Sequence, residues 1–367
     1  MNAPENRDLP NPFIFEDESE VRSEADWPRR RRELLKLVVD LEYGGLPPAP
    51  AATRYEHLHS TRVKSLGGAR YASVRVVAET DPPFSFLLYL LVPAGDGPFP
   101  VVLNGDGCWR YVTDSVAEEV VRRGYILAQF NRVEIVPDNY TSERSTGLYP
   151  VYPNADFGAL SAWAWGYHRC VDVLGQLEEV DADRIAVVGH SRGGKTSLLA
   201  GATDTRIALT SANDSGAGGA GSYHFQAEGS ETLADGMRAV PYWYGPRMRE
   251  YAGRQEELPF DQHFLKAAVA PRPLLTTEAL GDLWANPRGT WQTHLGAKQV
   301  FRFLHAEDRI GIVYRQGDHY HSLADWEGFL DFADWQLRGE KPSRDFETNP
   351  FPELPPCFSW SAPGCIH

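Results

Sequence analysis

Residues 184–195 read Arg-Ile-Ala-Val-Val-Gly-His-Ser-Arg-Gly-Gly-Lys, and this stretch decides the architecture. Ile185–Val188 is an unbroken apolar run of the kind that forms a strand buried on both faces. It passes directly into Gly189-His190-Ser191-Arg192-Gly193, a complete G-x-S-x-G, and then into the helical stretch Gly194–Thr203. A serine on so sharp a strand-to-helix turn projects its hydroxyl above the sheet, and side chains at the flanking glycines would strike neighbouring backbone. The N–H of Arg192 then lies at a helix N-terminus, where it can stabilise an oxyanion. G-x-S-x-G is common by chance, so the strand before it and the helix after it carry the reading. Ser191 is read as a nucleophile rather than an ordinary turn residue.

Outward from this turn, short apolar strands alternate with helices. The expected strands are 71–78, 86–92, 100–103, 125–130, 184–188, 207–211, 273–277 and 311–314. The expected helices are 114–123, 161–177, 194–203, 292–304 and 324–337. Such alternation predicts an α/β fold with a mostly parallel central sheet and helices on both faces, a three-layer sandwich of the α/β-hydrolase type. That fold orders its site as serine, then acid, then histidine. After the last strand comes Gln316-Gly-Asp-His-Tyr-His321, and His319 is read as the base, with His321 beside it as a supporting or capping group. A His-x-His metal pair is the rival, but it lacks a third ligand. The acid stays open between Asp282, just past the 273–277 strand, and Asp214, one strand earlier. Either could orient the imidazole, and either could instead cap a loop.

Composition narrows the function. The 367 residues carry 36 Lys and Arg against 50 Asp and Glu, a net charge of −14, which argues against nucleic-acid or anionic-membrane partners. The run Arg29–Arg32 sits beside Glu33 and reads as a solvated helix face. The longest apolar stretch, Phe86–Val92, is far short of the ~20 residues a membrane span needs. The opening MNAPENRDLPNPF has neither a basic n-region nor an apolar h-region. The expectation is a cytoplasmic protein as written, or a secreted one if a leader was removed. Cys108, Cys170, Cys357 and Cys365 are too scattered for a disulfide framework or zinc site; only Cys357 and Cys365 are close enough to invite a bridge, and all four are read as thiols. The chain divides into an arm and helix over 1–50, a catalytic domain over 51–341 and a Pro- and Phe-rich tail over 342–367.

Several segments together resemble the bacterial glucuronoyl esterases of carbohydrate esterase family 15. They are Trp27-Pro-Arg-Arg, Pro137-Asp138, Ala162-Trp-Ala-Trp-Gly166, Gly189-His-Ser-Arg-Gly-Gly-Lys195, Ser215-Gly-Ala-Gly-Gly219, Leu258-Pro-Phe-Asp-Gln-His263, Ala270-Pro-Arg-Pro273 and Asp282-Leu-Trp-Ala285. The resemblance runs from about Leu9 to about Leu337. It implies a serine esterase that cleaves the ester between 4-O-methyl-glucuronic acid on xylan and a lignin alcohol, with no metal or cofactor. Carried over by position, Ser191 is the nucleophile and His319 the base. Arg192 serves the oxyanion through side chain and backbone, Lys195 and Glu231 bind the sugar, and Trp284 packs against it. Trp163 and Trp165 read as packing.

This sequence departs from the family pattern at Asp214, where members carry glutamate or asparagine; the position of Asp282 is favoured for the acid. Members are usually exported, and no leader is visible. The loop Asn104-Gly-Asp-Gly-Cys-Trp109 is expected to lend an oxyanion N–H, with Asp106 bearing on the choice of leaving group. Two rivals remain: an acetyl-xylan or small-molecule carboxylesterase on the same machinery, and a catalytically silent binding protein. The intact Ser191, His319 and acids weigh against the second.

Overall fold

The computed structural model describes residues 8–109, 111–139 and 144–364. Its strands are β1 (Thr53–Val63), β2 (Ala69–Ala78), β3 (Phe84–Val92), β4 (Phe99–Asn104), β5 (Ile126–Phe130), β6 (Val180–His190), β7 (Leu209–Asn213), β8 (Leu274–Ala279) and β9 (Ile310–Arg315). Its helices are α1 (Trp27–Glu42), α2 (Asp114–Arg122), α3 (Ala159–Leu174), α4 (Arg192–Thr203), α5 (Leu233–Ala239), α6 (His263–Ala267), α7 (Pro287–Phe303) and α8 (Leu323–Arg338). The strands form one sheet in the order β1-β2-β3-β5-β4-β6-β7-β8-β9. β1, β2, β3 and β5 pair antiparallel in succession, and every pair from β5 onward is parallel.

Side-chain alternation along the central strands builds two cores. Val101, Leu103, Ile185 and Val187 pack with α1, α3, α4, α6 and α7 on one face. Val102, Ala186 and Val188 point the other way, onto α2 and α8. This is the three-layer α/β-hydrolase arrangement, with period-2 alternation deciding which helix layer each residue meets. The carboxyl ends of the parallel strands meet above the middle of the sheet, where ligands bind in such folds.

The structure adds one strand the pattern did not announce. β1, Thr-Arg-Tyr-Glu-His-Leu-His-Ser-Thr-Arg-Val, is a mostly exposed edge strand with no apolar face to betray it. α7 begins five residues before the expected start, because Asn286 accepts from the Gly289 N–H at 2.9 Å and Pro287 occupies the first turn. The basic run is not simply solvated. Arg30 is buried and donates to the Pro12 carbonyl, while Arg31 donates at 2.7 Å to Ala202 and to Ala268, carbonyls at the carboxyl ends of α4 and α6.

Phe13, Phe15, Val21 and Trp27 enter the larger core with α1, so the N-terminal segment is packed into the fold. The C-terminal segment covers the free edge of β9, where the Ile312 N–H donates to the Phe346 carbonyl at 2.7 Å. It then returns to the N-terminal segment, with Leu9 N–H bonding the Cys357 carbonyl at 3.1 Å. A Cys357–Cys365 bridge concerns a residue outside those described. Trp163 and Trp165 are fully buried, as packing residues.

Candidate active site

β6 delivers Ser191 to the turn with φ 56° and ψ −124°, a left-handed conformation costly for any residue with a Cβ and characteristic of functional sites. The turn is braced by the Ser191 N–H, which donates to the Asn213 carbonyl at 2.8 Å. A Cβ on Gly189 would collide with the Gly193 carbonyl, and one on Gly193 with the Asp106 carboxylate. The glycines are therefore demanded by close approach, as the motif predicts.

The loop after β9 places His319 with Nε2 2.9 Å from Ser191 Oγ and Nδ1 2.5 Å from Asp282 Oδ2. Asp282 is nearly buried, while His319 is 41% exposed, so the imidazole is anchored at one end and open at the other. Asp214 does not touch the histidine ring by a hydrogen bond. Its Oδ1 accepts from the Ala279 N–H at 2.6 Å and its Oδ2 from Arg315 at 3.3 Å. Burial, reinforced by the adjacent Asp282 charge, pushes the Asp214 carboxyl up to about 8 against the pull of the Ala279 N–H and Arg315.

Asp214, Asp282 and His319 each offer a ligand atom within 4.8 Å of the others. The two imidazole nitrogens already have partners in Ser191 and Asp282, so those three residues form the hydrogen-bonded relay and Asp214 stands beside it. Beneath it His190 bonds Asn213 Oδ1 through Nδ1 at 2.5 Å, with its ring 4.6 Å from that of His319. Burial, with His319 nearby, pulls His190 down to about 3, so it adds no positive charge under the base. His321 stacks on Trp326 at 4.7 Å, and burial holds its imidazole well below the usual range.

The Asn104–Gly107 loop does not supply the expected oxyanion N–H. Gly105 donates to Tyr167 Oη at 2.7 Å, Asp106 to Asn104 Oδ1 at 3.0 Å and Gly107 to the Phe130 carbonyl at 3.1 Å. Nor does Asp106 face a leaving group. It is fully buried, paired with Arg132, and accepts from the His190 N–H at 2.9 Å, which fastens it under the elbow. Removing one member of a buried pair strands the other charge, so Asp106→Ala is expected to lower stability by about 3–5 kcal/mol. Urea unfolding checks this, and a loss under about 1 kcal/mol would mean the pair does not hold the elbow.

Arg192, opening α4, donates to Asp138 Oδ2 at 2.7 Å and lies with its guanidinium carbon 4.7 Å from the Trp243 ring centre. Lys195, one turn further, is 3% exposed. Its ammonium donates to the carbonyls of Ser215, at 2.7 Å, and Ala217, and reaches Glu231 Oε2 at 3.3 Å. All three of its N–H groups are thus engaged, so Lys195 fixes the 215–217 loop and aims Glu231. The Glu231 N–H is held by the Trp284 carbonyl at 2.9 Å, and the Trp284 ring is 51% exposed, which excludes a core-filling role. Sequence reasoning passed over Asp138, Tyr242 and Trp243 around Arg192. Their only signal was Pro137-Asp138, whose partners lie 54 residues away at Arg192 and 104 and 105 away at Tyr242 and Trp243.

A hydrogen-bonded serine–imidazole–carboxylate line on a strand-to-helix elbow of this sheet defines a serine hydrolase of the α/β-hydrolase class. The particular family follows from comparison. The family model described as glucuronyl esterase, fungi, matches residues 76–305. A 4-O-methyl-glucuronoyl methylesterase 1 of Wolfiporia cocos is 32% identical over 85% of this chain and 76% of its own. A carbohydrate esterase family 15 glucuronoyl esterase from Caldicellulosiruptor kristjansonii superposes with a TM-score of 0.85 at 31% identity over 98% of both chains. A promiscuous esterase of the same family from a marine bacterial metagenome gives 0.79 at 28% identity, over 90% of this chain and 97% of its own. The chain belongs to the glucuronyl esterase family.

Proposed function

We propose that the protein hydrolyses esters of 4-O-methyl-glucuronic acid through an acyl-enzyme. The observation that carries this reading is the Ser191–His319–Asp282 line set beside the Lys195–Glu231–Trp284 group. His319 Nε2 takes the proton of Ser191 as Oγ attacks the uronate carbonyl, and Asp282 stabilises the imidazolium. The tetrahedral oxygen is met by Arg192, through its N–H at the head of α4 and its guanidinium. His319 then returns the proton to the departing alcohol, and water, activated by the same imidazole, releases the acid. Glu231, aimed by Lys195, takes sugar hydroxyls, and Trp284 offers its exposed face to the ring.

The alcohol leaves on the His319 side, past Tyr320, Tyr111 and Trp109. Tyr111 lies 6.0 Å from Tyr320 and 6.1 Å from Trp109 by ring centres. Trp109 and Tyr320 are about half exposed. An apolar rim of this kind favours a bulky alcohol over a small one. The test compares kcat/KM for benzyl glucuronate, methyl glucuronate and 4-nitrophenyl acetate, with Ser191→Ala as blank. The expected order is benzyl, then methyl, then acetate. Activity on acetate alone would leave the serine mechanism standing and remove the uronate assignment.

A further inference from the structure

We infer that Asp138 is a positioning residue for the reaction, holding the Arg192 guanidinium in one orientation beside the nucleophile. The inference rests on the reading of Ser191 as nucleophile and Arg192 as an oxyanion group. Asp138 follows Pro137 in the loop beyond β5, far from Arg192 in sequence. Its side chain is 8% exposed and its two oxygens are used differently. Oδ1 accepts from Tyr242 Oη at 2.8 Å and from Trp243 Nε1 at 3.0 Å, while Oδ2 is turned to Arg192 Nη1 at 2.7 Å. Two neutral donors thus lock the carboxylate, and its free oxygen takes the cation. Burial works against the charge, but Arg192 and these hydrogen bonds hold the Asp138 carboxyl below the usual carboxylate range.

Trp243 does two things at once. Its indole N–H fixes Asp138, and its face carries the guanidinium at 4.7 Å, with Trp109 approaching the same group at 5.8 Å. Arginine has a fork of five N–H donors, and Asp138 takes one of them. The side chain remains 31% exposed and borders a cavity of about 470 Å³ shared with Cys108, Trp109, Val133 and Asp138. An unanchored arginine would have to be ordered in every catalytic cycle, whereas a donor already in place needs no reorganisation when charge develops.

A positioning role predicts a loss in kcat rather than in KM. Asp138→Asn keeps the shape and removes the charge; it is expected to lower kcat about 30- to 100-fold with KM within about threefold, and Asp138→Glu to restore part of the loss. In an Arg192→Met background the same substitution is expected to change kcat by no more than about twofold, because the group it acts through is gone. If the losses multiply in full, or if KM rises while kcat holds, Asp138 is only a structural tie between its loop and the Tyr242–Trp243 turn, and the inference is overturned. Should Asp138→Asn fail to fold, Tyr242→Phe removes only a hydroxyl from the clamp; a fall in kcat of about three- to tenfold supports the inference and an unchanged kcat overturns it. The cycle is run on both benzyl glucuronate and 4-nitrophenyl acetate, so an enzyme that ignores uronates still reports on the clamp.

Discussion

Ser191→Ala is expected to lower kcat on a glucuronate ester by about 10⁴- to 10⁶-fold, with little change in substrate affinity. The size follows from the geometry. His319 Nε2 stands 2.9 Å from Ser191 Oγ, and the elbow that presents this oxygen is fixed by β6, α4 and the packing of Gly189 and Gly193. Removing the oxygen leaves the imidazole with nothing to deprotonate but water. Alanine meets the same strain at φ 56° as serine does, so the variant is expected to fold and to unfold at nearly the same temperature. Labelling by a serine-directed fluorophosphonate should disappear in parallel. Residual kcat above about 1% of wild type, or persistent labelling, would assign the nucleophile elsewhere.

The parts of this site that could be read from sequence are those whose signal is local. The elbow announces itself in twelve consecutive residues, because strand, glycines, serine and helix must follow one another without a gap. His319 and Asp282 were legible because each closely follows an apolar strand, and the fold places such loops at one end of the sheet. What stayed hidden depends on pairings across the chain. Asp106 invited a reading as a loop acid near substrate, yet Arg132, 26 positions on, draws it under the elbow. Lys195 looked free to reach a ligand; its partners at Ser215 and Ala217 sit on a turn that only the β7–β8 crossover brings close. The edge strand β1 escaped for the opposite reason: it has almost no buried side, and an unburied strand leaves no hydrophobic period in the sequence. The resemblance to a known family carried Glu231 and Trp284, which no periodicity would have singled out.

The two carboxylates near His319 are expected to separate sharply. Asp282→Asn should lower kcat by about 10³- to 10⁴-fold, because an amide facing Nδ1 favours the wrong tautomer and cannot stabilise the imidazolium. Asp214→Asn should cost less than about tenfold, since Asp214 bonds the Ala279 N–H and Arg315 rather than the imidazole, and burial, reinforced by the Asp282 charge, keeps it protonated near neutral pH. The linkage has a definite sign. With a folded pKa near 8 and an unfolded value near about 4, the unfolded chain sheds this proton first as pH rises. Stability contributed by the group is present at low pH and declines through the interval between those values. Asp214→Asn removes that decline, so its melting temperature relative to wild type should improve from pH 5 to pH 8. Arg315 keeps a partner in Asp325 at 2.7 Å, so no unpaired cation is left behind. Melting curves at both pH values and kcat for both variants decide the matter. Equal losses of kcat would mean that the carboxylates orient the imidazole jointly, and a melting difference independent of pH would mean that Asp214 is ionised in the folded protein.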